Sequence, residues 1–78
     1  MDLRQVLATN LRRIRHEKGL SQEALADEAG VDRAHVSKIE RGVTYVGIEI
    51  IGKFVDVLGV EPADFFQLPP KRARKRQG

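Results

Sequence analysis

Arg33, Ala34, Ser37, Lys38 and Arg41 are the residues of this chain whose types and spacing suggest chemistry. On a helix turning about 100° per residue they share one arc of roughly 140°, and Val36 and Ile39 lie opposite. Long cationic donors stand beside small side chains on that arc. Guanidinium and ammonium groups donate to guanine edges or to phosphates, and small neighbours let the backbone come close. An ordinary amphipathic surface helix shows the same two faces, so the arc alone does not decide.

The stretch around it decides more. From Gly19 to Gly42 the sequence reads as two short helices joined by a tight turn. Ser21 is a natural N-cap, with Leu20 and Leu25 spaced as a hydrophobic staple. The pattern recurs with Asp32 as cap and Val31 and Val36 as staple. Gly30 and Gly42 supply the left-handed residue that ends a helix. A helix pair of this kind is a supersecondary motif that sets a helix in the DNA major groove.

The rest of the chain supports this pair. Leu3, Val6, Leu7, Leu11 and Ile14 recur at helical spacing, predicting a first helix over 2–18. The spacing predicts helices over 21–29, 32–41 and 48–58, and Pro62 suits the first position of a fifth. Of Phe65 and Phe66, one is expected to plug the core and the other to stay partly exposed. Arg12 and Arg13 read as solvated charges. Pro69-Pro70 ends regular structure, and 71–78 reads as a basic arm.

The motifs Gly19-Leu20-Ser21-Gln22-Glu23, Leu25-Ala26, Ala29-Gly30-Val31 and Ile39-Glu40-Arg41-Gly42, with the later Leu58-Gly59-Val60 and Phe65-Phe66, resemble the phage repressor and Cro-type (XRE) helix-turn-helix family. The resemblance covers roughly 4–67. It implies an all-α, compact five-helix bundle of the lambda-repressor-like DNA-binding type over 1–68, and the composition adds a proline-led basic arm over 69–78. It places base-reading residues at Arg33, Ala34 and Lys38, with Ser37 beside them. It sets Gln22 on a backbone phosphate or a base edge and Arg41 on phosphate. His35 falls on the flank, where phosphate contact and partial burial are both open. The resemblance also pairs Arg15 of the first helix with Glu40. Where many family members carry Asn-Pro-Ser before the fourth helix, this chain has Tyr45-Val46-Gly47, without the rigid proline or the hydroxyl cap.

Composition narrows the function classes. The chain has 78 residues and no cysteine, so one small core must form without disulfides or zinc–thiolate sites. His16 and His35 lack a metal-ligand pattern, and no metal or cofactor is expected. The formal net charge is +3, yet Lys71, Arg72, Arg74, Lys75 and Arg76 supply more than that. Residues 43–70 hold Lys53 against Glu49, Asp56, Glu61 and Asp64, so the charge is polarised, with an acidic end away from the proposed reading end. There is no apolar run of membrane-spanning or signal length, and a cytoplasmic, nucleoid-associated protein is expected. Paired catalytic carboxylates, a nucleophile–base motif and a phosphate loop are all lacking, which argues against an enzyme.

The fourth helix is apolar over about 180° of its wheel, more than one core needs. Ile48, Ile51, Val55 and Leu58 match the family's core positions. Ile50 and Val57, with Phe54 between the two sets, are then left facing outward, joined by Tyr45 and Val46. Such a patch predicts a homodimer interface, unless the fifth helix or the proline segment covers it. The expected function is a sequence-specific transcriptional regulator. As a homodimer it would insert the third helix into a pseudo-palindromic double-stranded operator, with no membrane or small-molecule ligand. The Asp-Arg-x-x-Val-Ser stretch is similar to that of restriction–modification controller proteins. An antitoxin or a protein-interaction module on the same fold is the alternative.

Overall fold

Four α-helices and one 3-10 turn make up the computed structural model, which describes residues 1–68: α1 Leu3–Glu17, α2 Gln22–Ala29, α3 Arg33–Glu40, α4 Ile48–Leu58, then the turn Pro62–Phe66. The basic arm expected over 69–78 lies outside the described residues. The described residues contain no strand, and none of their helices is long and apolar enough to cross a membrane.

Local chemistry explains most boundaries. The Asp2 carboxylate caps α1, accepting from the Arg4 N–H at 3.0 Å. Ser21 Oγ caps α2, accepting from the Ala24 N–H at 3.0 Å. Gly30, at φ +72°, ends α2 and lets the Val31 N–H return to the Ala26 carbonyl at 3.0 Å. One expected cap is not made. Asp32 stands at the start of α3 in extended backbone, but its side chain bonds no helix N–H. The α3 start instead relies on the Asp32 carbonyl, which accepts from His35 and Val36.

The expected fifth helix is a 3-10 turn of five residues. It begins as the sequence requires, with Pro62 at its start and Asp64 Oδ2 accepting from the Glu61 N–H at 3.0 Å. It ends at Gln67, whose backbone is extended. The Asn10 amide nitrogen in α1 donates to the Phe65 and Gln67 carbonyls, each at 2.9 Å. These bonds tie the end of the turn to α1.

The core joins Leu7, Leu11 and Ile14 of α1, Leu25, Ala26 and Ala29 of α2, Val36 and Ile39 of α3, Phe54 and Leu58 of α4, and Phe65. Phe65 is the plug, and Phe66 is partly exposed. The first residue of the expected α1 stripe, Leu3, is exposed, since the core begins a turn later at Leu7.

The inward face of α4 departs from the sequence expectation at two residues, Phe54 and Ile48, while Leu58 lies in the core as expected. Phe54 is 0% exposed and lies in the core, so it is not an interface residue. Ile50, Val57 and Val46 pack against that core half-buried. Ile48, expected inside, is 86% exposed. The physical reason is volume: the large ring of Phe54 takes the central inward position beside Leu58, Ile48 turns to solvent, and Ile51 and Val55 stay half-buried against the core as Ile50 and Val57 do.

Candidate nucleic-acid interface

The rear of α3 is fixed before its front can read anything. Val36 and Ile39 are fully buried, and α3 packs on both α1 and α2. Its last residue, Glu40, is a buried hub. Arg15 grips both carboxylate oxygens, with Nε to Oε2 at 2.6 Å and Nη2 to Oε1 at 3.0 Å. The remaining Arg15 arm donates to the Leu20 carbonyl at 2.7 Å, in the loop that leads into α2. The guanidinium therefore joins α1, the α2 entrance and the end of α3. Such bidentate, charge-assisted bonds set orientation as well as energy.

Two further contacts hold the α3 terminus. Arg12 donates to the Glu40 carbonyl, and Gln5 Nε2 donates to the Gly42 carbonyl at 3.4 Å. A cation at a helix C-terminus answers both an unpaired carbonyl and the helix dipole. Gly42 is favoured first by its backbone. Its φ is +72°, and a Cβ there would collide with the Gln5 side chain.

The front of α3 presents Arg33, Ala34, Lys38 and Arg41 to solvent, with Ser37 and His35 half-buried beside them. None of the three cations belongs to an ion pair among the described residues. Arg41 Nε only reaches back to the Ser37 carbonyl, at 3.4 Å. Gln22, at the first position of α2, is half-buried and donates from Nε2 to Glu40 Oε1 at 3.1 Å. The structure thus collects Arg33, Ala34, Ser37, Lys38 and Arg41 on one face, and joins Arg15, Glu40 and Gln22 beneath it.

The Arg4 guanidinium lies 4.8 Å from the centre of the Tyr45 ring, and Tyr45 is 78% exposed. Arg4 also binds Asp2 at 3.1 Å. That guanidinium and the Arg4 N–H hold the Asp2 carboxyl below its ordinary range. Sequence reading missed Gln5, Arg12 and Asn10. Asn10 left a signal, a polar residue inside the apolar stripe of α1 and next to Leu11. Gln5 and Arg12 left none, because each bonds a carbonyl, and any residue offers one. Among the described residues no group of His, Asp and Glu side chains is arranged to hold a metal ion.

Two short helices joined by a turn, with one buried against the body and its other face free, define a helix-turn-helix domain. The helix-turn-helix family HTH_3 matches residues 11–65, and the chain belongs to that family of XRE-type transcriptional regulators. It is 43% identical over 74 residues to a hypothetical transcription factor of Neisseria meningitidis serogroup B, an alignment covering 95% of this chain and 69% of the relative. It is 39% identical over 64 residues to the control protein C.BamHI of Bacillus amyloliquefaciens, covering 81% of this chain and 79% of that one. Its fold is similar to the crystal structure of the restriction–modification controller protein C.AhdI from Aeromonas hydrophila. The TM-score is 0.78 at 40% identity, over 81% of this chain and 96% of the other. These relatives are regulators, not enzymes.

Proposed function

We propose that this chain is a sequence-specific double-stranded DNA-binding transcriptional regulator that inserts α3 into the major groove as a homodimer. The observation that carries the reading is the free cationic face of α3 on a helix whose rear is locked by the Arg15–Glu40 pair. Arg33 and Lys38 are the base-reading donors, with Ala34 and Ser37 allowing close approach. Gln22, His35 and Arg41 meet the phosphates on either side. Similarity to two named control proteins favours this over an antitoxin or a protein-interaction module.

The second copy docks on the outward face of α4. A shallow groove of about 420 Å³ there is lined by Ile48, Ile51, Gly52, Val55 and Pro62. Lys53 sits on its rim with Glu49 and Asp56. Both signs on one rim let a two-fold contact pair each lysine with a partner carboxylate. Paired α3 helices would then meet half-sites about 34 Å apart.

Selection of duplexes from a random pool tests the reading. The expected product is a pseudo-palindrome with that spacing. A pool that shows no enrichment after repeated rounds overturns it.

A further inference from the structure

We infer that Glu40 is a positioning residue for DNA binding, which fixes the Gln22 amide so that its free N–H meets a backbone phosphate. The inference rests on the proposed DNA reading and adds to it a residue that never touches DNA. Glu40 is buried at 2% exposure, and Arg15 engages both of its oxygens. Oε1 still accepts a second bond, from Gln22 Nε2 at 3.1 Å. An ionised carboxylate accepts and never donates, so the amide must turn its nitrogen inward. That choice leaves one N–H of the same nitrogen unbonded among the described residues, on a half-buried side chain at the first position of α2.

A free glutamine at a helix start samples many rotamers and both amide orientations. Half of those orientations would aim the carbonyl oxygen at a phosphate and repel it. The bond to Glu40 removes them before DNA arrives, so the ordering cost is met in folding. Arg15 serves the same end electrostatically, because its bidentate grip neutralises the carboxylate that would otherwise stand behind the phosphate contact.

The test is a double-mutant cycle on the full chain, using the selected duplex and a scrambled one. All titrations are run below the melting transition of every variant, followed by circular dichroism. Gln22→Ala should weaken both duplexes about tenfold, the scale of one hydrogen bond to a charged group. The salt slope should stay unchanged, because a neutral amide displaces no counterion. In a Glu40→Gln background the same truncation should cost less than about twofold. Equal cost in both backgrounds, or no cost in the wild type, overturns the inference while the DNA reading stands. Failure of the wild type to enrich any duplex overturns both. Should Glu40→Gln not fold, side-chain amide relaxation in the wild type decides. A Gln22 amide more restrained than that of exposed Gln67 supports the inference, and one equally mobile overturns it.

Discussion

Arg15 Nε lies 2.6 Å from Glu40 Oε2, and both side chains are withdrawn from water, 25 residues apart in sequence. The pair fastens α1 to the end of α3. Truncation of Glu40 to Ala leaves a buried guanidinium without its counterion. The expected loss is about 3–5 kcal/mol, the scale for breaking a buried pair from one side. In a chain this short that lowers the melting temperature by well over ten degrees, at roughly 4–8 °C per kcal/mol. A thermal melt superimposable on the wild type would show that the pair contributes nothing.

Arg33 is exposed at the start of α3 and belongs to no ion pair among the described residues. Its guanidinium suits the two acceptors of a guanine edge. Arg33→Ala should therefore cost about 1–3 kcal/mol on the selected duplex and relax preference at one base pair. Lys38→Ala should act in the same way if it reads a base, or uniformly across sequences if it meets phosphate. The assignment fails if the Arg33 variant keeps its full preference in parallel titrations against single-base variants of the site.

The clamp between Asn10 and the 3-10 turn offers a second stability test. Asn10 donates to the Phe65 and Gln67 carbonyls at 2.9 Å and is itself buried. Asn10→Leu has a similar size but no donor, so the buried Phe65 carbonyl loses its partner. The expected destabilisation is about 1–3 kcal/mol. Hydrogen exchange should also quicken at the Asp64 N–H, which bonds the Glu61 carbonyl at the start of the turn. Unaltered exchange and an unaltered melt would leave the clamp without a stabilising role.

These residues mark where sequence reading reached and where it stopped. Helices α1 to α4 were legible because their signals are local. Ser21 caps, Gly30 stops, and apolar residues recur at helical spacing. The docking of the 3-10 turn on α1 was not legible, because it runs through Asn10, 55 positions from Phe65. The Asp32 cap failed for a related reason: residue type permits a cap bond but does not fix the rotamer. The buried arginine–glutamate pair was implied by family resemblance, and no rule of spacing would have found it. The α3 face followed from periodicity, since Val36 and Ile39 leave only one way to turn the helix inward. In α4 periodicity could not choose. Seven of its 11 residues are apolar, and an apolar arc of about 180° accepts two core phases.

That ambiguity sets up the sharpest test of the dimer. Ile48 is 86% exposed, while Ile50 packs half-buried against the core. The two residues are one turn-half apart, so the same substitution at each probes opposite sides of α4. Ile48→Glu puts a carboxylate into the groove formed with Ile51, Gly52, Val55 and Pro62. There it would face its own copy across a two-fold contact, next to Glu49. This variant should keep the wild-type melt of the isolated chain and sediment as a monomer. Its DNA titration should lose the advantage of a full site over a half-site. Ile50→Glu instead places a charge against the core and should cost stability first, about 1–3 kcal/mol or more. Sedimentation velocity at matched concentrations, paired with thermal melts, separates the two effects. If Ile48→Glu dimerises as the wild type does, the outward face of α4 is not the interface.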